Sequence, residues 1–230
     1  LLAIVGAVVV LYISLIGYLL SAAIFGAIDL KHATQISADQ QLIAQCFVYA
    51  ALGLYLLFIV PALAKKPLRE LGFQAPGRRD IAIALAGTIA MTLAVDLSGS
   101  AIAALSHRHD TETAVALMEQ MKTPLERYAF FATACILAPL IEELAFRVFL
   151  FNALTRYVSV IAATIVSGIL FGLVHSTSIP QLLTLSIPLA LGGMVLAFVY
   201  TATRCYWANV ITHGLFNTVS VVALFVFHAK

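Results

Sequence analysis

The sequence predicts an all-α fold, a polytopic transmembrane helix bundle of about seven spans. Composition is the first reason: 62% of the residues are hydrophobic and 10% charged, where a soluble domain carries about a quarter charged residues. The second is a mean hydropathy of +1.02. The third is the distribution of apolar residues in long runs near the roughly 20 that cross a bilayer. These runs fall at about 3–28, 41–64, 81–104, 128–154, 158–177, 180–203 and 206–228.

The first run starts at Leu1, not at a methionine, so residues are expected upstream. It continues to about Ile28, too long for the apolar core of a secretory signal. After the second run comes "KKPLRELGFQAPGRRD", with Lys65, Lys66, Arg69, Arg78 and Arg79. Its positive charge assigns this loop to the cytoplasmic side. Arg156 and Arg204 then fall inside, while Lys31, Arg108, Lys122, Arg127 and Lys230 fall outside, a bias of seven to five. In the third run Asp96 lies close to Ser98 and Ser100, and local bonding to hydroxyls or backbone is the expected role of that acid. The polar stretch that follows places Val115, Met118, Met121 and Leu125 at helical spacing, with Asp110 or Thr111 able to cap its start. An amphipathic helix on the bilayer surface is expected there.

The fourth run contains "APLIEELAFR", with Glu142, Glu143 and Arg147 within two turns. Ionisable side chains inside a span are costly and mark function by default. Glu143 and Arg147 form an i,i+4 pair with the acid N-terminal, the favourable order. Glu142 points about 100° away from Glu143 and about 140° away from Arg147. One carboxylate is therefore structural, and the other is left available as a general base or acid. Pro139 removes a backbone hydrogen bond three residues before the acids and is expected to kink the helix and admit water.

The fifth run holds "FGLVH", with Phe171 and His175 one turn apart and Gly168 and Gly172 for close helix approach. The sixth run carries no ionisable side chain. The last holds "HGLFN", with His213 and Asn217 on one face. Two imidazoles, a carboxylate and a carboxamide suffice for hydrolysis: a base, an electrostatic partner and donors to an oxyanion. A lone buried His or Asn is otherwise a helix–helix hydrogen bonder.

The net charge of +2 is too small and scattered for a nucleic-acid partner. Cys46, Cys135 and Cys205 form no CxxC pair, so they read as small apolar fillers and not as a disulfide or thiolate metal framework. No fixed-period repeat and no second, soluble domain is evident. Residues 1–230 read as one membrane domain.

"EELAFR", "FGLVH" and "HGLFN" fit EExxxR, FxxxH and HxxxN, in order, on three late apolar helices. Each pattern alone arises by chance; the ordered set is specific. Over roughly 128–222 the chain resembles the CPBP or Abi family of intramembrane endopeptidases, the group of CAAX prenyl proteases type II. The resemblance allows an eighth helix in the full chain. One departure is Val148, where many bacterial members carry glycine, which bears on local packing.

The resemblance implies that Glu142 activates water, with His175 assisting. His213 and Asn217 would stabilise the oxyanion, and Glu143 with Arg147 would support the site. It implies a peptide or protein substrate, processed at C-terminal or membrane-proximal positions, lipid-modified in the family's eukaryotic role. It also implies a multi-pass protein in contact with membrane lipid, in a bacterial inner membrane or a eukaryotic endomembrane. No cofactor is expected; the alternative is a zinc ion on Glu142, His175 and His213. A proton- or ion-coupled transporter would use the same buried acids and imidazoles as a relay, although no inverted repeat supports it. A non-catalytic scaffold or immunity protein is the third class, and the intact set of polar residues argues against it. The run edges put Glu142 about 18 Å, His175 about 26 Å and His213 about 10 Å from the inner ends of their helices. Convergence therefore demands tilt, a kink at Pro139 or other boundaries.

Overall fold

The structure, a computed structural model, describes residues 38–59, 61–62, 67–107, 118, 120–121, 123–176 and 178–227. The expected first span, and the basic residues Lys31, Lys65, Lys66, Arg108, Lys122 and Lys230, lie outside these. So do Asp110, Thr111 and Val115 of the expected surface helix.

Helix α1 (Ala38–Leu54) runs on into a π-helical turn, Tyr55–Ile59. A 3-10 turn, Leu68–Leu71, precedes α2 (Arg78–Ser106). At the start of α2 the Asp80 carboxylate accepts from the Gly77 N–H at 2.9 Å, and at its end His107 takes a left-handed conformation with φ of 53°. The rod α3, residues 124–154, joins several helical pieces without a break. Thr123 and Glu126 cap it reciprocally, and Pro124 occupies its first turn, where no N–H is needed. Helix α4 (Val160–Leu173) is capped by Ser159. A short α5 (Gln181–Thr184) leads into α6 (Ser186–Thr203), and α7 (Tyr206–Phe227) follows. Among the described residues all regular structure is helical.

Helix α6 lies at the centre, packed against α2, α4 and α7. Its contact with α4 depends on the absence of a side chain at Gly172. A Cβ there would collide with the Ser186 carbonyl oxygen and come within 2.8 Å of the Ala190 nitrogen. Hydroxyls tie α2 to α7: Thr212 Oγ1 donates to the Ala84 carbonyl at 3.1 Å, and Thr88 Oγ1 to the Thr212 carbonyl at 3.3 Å. Such bonds, and small residues, hold helices together where lipid tails offer no hydrophobic driving force.

The outer surface is apolar in ordered stripes. On α2, Leu85, Ile89, Leu93 and Leu97 are all exposed, while Ala84, Gly87 and Met91 face inward. Large aliphatic side chains outside and small ones inside are the pattern of a helix solvated by lipid. The chain is an integral membrane protein.

The expected seven spans are not reached among the described residues. Three helices are long and apolar enough to cross a membrane: Gln41–Phe58, Arg78–Ser106 and Gln181–Thr203. Helix α4 has 14 residues, about 21 Å at 1.5 Å per residue, short of the roughly 30 Å hydrocarbon core. Met118 and Met121 do not form an exposed apolar face. They are buried with Leu42, Phe130, Cys135 and Val221, because the end of that segment folds back over α1, α3 and α7. Leu125 is exposed. Ser98 does not serve Asp96 either: its hydroxyl donates to backbone carbonyls one turn back, including Val95, and Asp96 is exposed. The three cysteines are free, with Cys135 and Cys205 buried.

Candidate active site

The rod α3 carries the acids. Two of its stretches, Thr133–Leu137 and Leu144–Phe151, are π-helical, on either side of the helical turn Ala138–Glu143. Such turns shift the phase of the side chains that follow. Proline explains the first one. The Ala138 N–H bonds to the Thr133 carbonyl, five residues back. In that register the Ala134 carbonyl would take its bond from residue 139, and Pro139 has no N–H to give. Asn217 on α7 supplies the missing donor, its Nδ2 lying 2.7 Å from the Ala134 oxygen.

Glu143 is fully buried and held from three sides. Arg147 Nη1 donates to Oε1 at 3.1 Å, His213 Nδ1 lies 2.9 Å from the same oxygen, and Asn209 Nδ2 donates to Oε2 at 3.0 Å. Arg147 is itself fully buried. Its Nη2 donates to the Gly193 carbonyl at 3.0 Å, and its guanidinium carbon stands 4.7 Å from the centre of the Phe171 ring. A buried ion pair is tolerated when further hydrogen bonds satisfy its ions; here both Glu143 oxygens and both terminal Arg147 nitrogens are engaged, while Arg147 Nε is buried without a partner among the described residues. Val148, the departure from the family pattern, packs into a core with Leu144, Phe151, Ala163 and Tyr200.

Glu142 has a different setting. Its side chain keeps 16% exposure. Tyr49, on α1, donates its hydroxyl to Oε1 at 2.7 Å. The other oxygen, Oε2, lies 3.8 Å from His175 Nε2 and 4.0 Å from His213 Nε2. The backbone and Glu143 fix both imidazole tautomers. His175 Nδ1 is 2.7 Å from the Phe171 carbonyl, which can only accept, so this nitrogen carries the proton. His213 Nδ1 faces the Glu143 carboxylate and is likewise the donor. Each ring therefore presents Nε2 to Glu142. Phe171 packs between the rings, 4.8 Å from His175 and 5.6 Å from His213, and is itself buried.

The gaps of 3.8 and 4.0 Å suit one water molecule, which bonds at about 2.8 Å to each neighbour. A tetrahedral zinc ion would need these donors closer together. With ligands at about 2.0–2.1 Å in tetrahedral array, donor atoms stand about 3.3–3.4 Å apart. Among the described residues no group of three His, Cys, Asp or Glu side chains is close enough to hold a metal ion.

Five of the six residues singled out in the sequence thus form one contiguous group with Glu142 at its open end: Glu143, Arg147 and His213 in direct contact, and His175 with Glu142 across the gap. The structure does not bring Asn217 into hydrogen-bonding contact with the others; it binds the Ala134 carbonyl. His175 is not deep in a span. It sits in the turn just after α4 ends at Leu173, and this earlier boundary, with the π-helical turns of α3, brings together side chains whose expected depths differed. Two residues escaped the sequence reading. Asn209 lies on α7 one turn before His213, a spacing that could have flagged it. Tyr49 belongs to a heptad-like series on α1, Leu42, Cys46, Tyr49, Gly53 and Leu56, whose only polar aromatic it is.

Residues 124–219 match the family model described as type II CAAX prenyl endopeptidase Rce1-like. The chain is also 31% identical over 87 residues to the "Putative membrane peptidase YdiL" of Bacillus subtilis (strain 168), a match that covers 38% of this chain and 34% of that relative. The chain thus aligns with about a third of the length of the curated relative it matches. No solved structure matches. The matched region is less than half of the chain; it contains Glu142, Glu143, Arg147, His175, His213 and Asn217, and over it the chain is similar to the Rce1-like type II CAAX prenyl endopeptidases.

Proposed function

We propose that the protein is an intramembrane endopeptidase that hydrolyses peptide bonds with a water activated by Glu142. The observation that carries this reading is the convergence of Glu142 Oε2 with His175 Nε2 and His213 Nε2 around a gap of one water molecule. In the reaction, Glu142 takes a proton from that water as its oxygen bonds to the substrate's carbonyl carbon. His175 Nε2 accepts a hydrogen bond from the same water and orients it. The carbonyl becomes a tetrahedral oxyanion. His213 can donate to it from Nε2, because the Glu143 carboxylate at Nδ1 compensates a second proton on the ring, as the carboxylate does in Ser–His–Asp enzymes. The second N–H of Asn217 Nδ2, the first being engaged by Ala134, is the other candidate donor. Collapse breaks the C–N bond, and the proton held by Glu142 passes to the leaving amine. The products are a carboxylic acid and an amine, with one water consumed.

No step of this mechanism requires a metal. The substrate class is a peptide or protein cut near a C-terminus or close to the membrane, and the location is a bacterial inner membrane; support for a membrane setting is the similarity to a relative named "Putative membrane peptidase YdiL".

The test compares the purified protein with its Glu142→Gln variant on solubilised membrane proteins and maps new C-termini by mass spectrometry. Cleavage by the parent, lost by at least about a thousandfold in the variant, is the expected result. Undiminished cleavage by Glu142→Gln would refute the role of this acid. Stoichiometric zinc that leaves together with activity would refute the metal-free chemistry.

A further inference from the structure

We propose that Tyr49 is a positioning residue for the general base: it fixes the rotation of the Glu142 carboxylate and so selects Oε2 as the oxygen that meets water. This rests on the hydrolytic reading of the site. Tyr49 lies outside the family-matched segment, on a helix that the site's motifs do not include.

The argument starts from the torsion that ends a glutamate side chain. Rotation about its last bond is broad and nearly two-fold, so an unanchored carboxylate presents either oxygen, at a range of angles. Glu143 is locked by partners at both oxygens. Glu142 cannot be locked in that way and still hold a free oxygen for water. A single strong donor at one oxygen solves this, and the Tyr49 hydroxyl at 2.7 Å from Oε1 is that donor. The other oxygen is then turned toward the two imidazoles. Hydrogen bonds to a charged group are the stronger kind, and the phenol is rigid, so the anchor holds direction as well as distance.

The backbone of α1 is built for this contact. Gly53, one turn beyond Tyr49 on the same face, lets α1 close on the rod: a Cβ there would lie 2.7 Å from Ile141 Cδ1, the residue next to Glu142. One turn earlier, Cys46 touches Thr133 Oγ1 at 3.5 Å. Leu42 and Leu56 are buried at the two ends of the same stripe. Tyr49 is thus carried to the acid by close packing on either side.

The experiment measures kcat, KM and the thermal midpoint for the parent, Tyr49→Phe and Glu142→Gln on one cleavable substrate. A misoriented catalytic group costs up to about a hundredfold, so Tyr49→Phe should lower kcat by about ten- to a hundredfold, with KM and the midpoint unchanged. Unchanged kcat in Tyr49→Phe, beside a parent that cleaves and a Glu142→Gln variant that does not, overturns the positioning role and leaves the hydrolytic reading standing. A parent that cleaves nothing overturns the hydrolytic reading, and the positioning role with it. Should the midpoint fall too, Tyr49→Ala decides the matter. Added phenol should restore its kcat where benzene does not, and equal effects of the two compounds would reduce Tyr49 to a packing residue.

Discussion

Glu142 and Glu143 are neighbours in the chain and differ in almost everything else. Glu143 has no exposure and hydrogen-bonds through both oxygens to Arg147, His213 and Asn209. Glu142 keeps 16% exposure, accepts from Tyr49 on one oxygen, and faces two imidazole nitrogens across gaps too long for a direct bond. A helix turns about 100° per residue, so adjacent side chains enter different environments. The lesson is a division of labour. A carboxylate with all its bonds satisfied orders the bundle, whereas one with an unfilled side can do chemistry. His213 joins the two, with Nδ1 on Glu143 and Nε2 toward Glu142.

Substitutions can break or sharpen this contrast. The largest effect belongs to the buried ion pair. Arg147→Met leaves Glu143 without its cation and should cost about 3–5 kcal/mol, seen as a large drop in apparent thermal midpoint in detergent and as low yield. Glu142→Gln should leave the same midpoint nearly unchanged while removing activity; equal midpoint losses in both variants would erase the distinction. Next comes Asn209→Ala, which takes a hydrogen bond from a charged group, worth about 1.5–3 kcal/mol. A stability loss in this range, larger than that of Glu142→Gln, would sharpen the structural reading of the Glu143 side; no loss would show that Arg147 and His213 hold the acid alone. The smallest effect is expected from Tyr206→Phe. Its hydroxyl donates to the Leu140 carbonyl at 2.8 Å, and its loss should cost about 1 kcal/mol, with kcat within a few-fold of the parent.

The legible parts of the site were those that local geometry dictates. The pairing of Glu143 with Arg147 follows from i,i+4 spacing alone, and it is present at 3.1 Å. The imidazoles could be named because an ionisable group in an apolar run demands a reason. Their convergence could not be derived, because the run edges gave unequal depths. α4 ends at Leu173, leaving His175 in the following turn, and hydropathy does not mark that end, since Val174 continues the apolar run. Asn217 is a different case. Its face on α7 was correct, but its observed partner is the Ala134 carbonyl, freed by a proline on another helix.

By itself, then, the sequence determined the membrane class, through its apolar runs. It also determined the chemical inventory of the site and the split between a paired and an unpaired acid, through helical phase. Only the tertiary structure decided which groups face Glu142. Tyr49 is 93 residues away in the chain, and Asn209 is 66 residues from Glu143. Helical phase fixes neighbours within a turn or two. Which side chains meet across helices depends on how closely the backbones approach, and that is set where Gly53 and Gly172 leave no room for a Cβ.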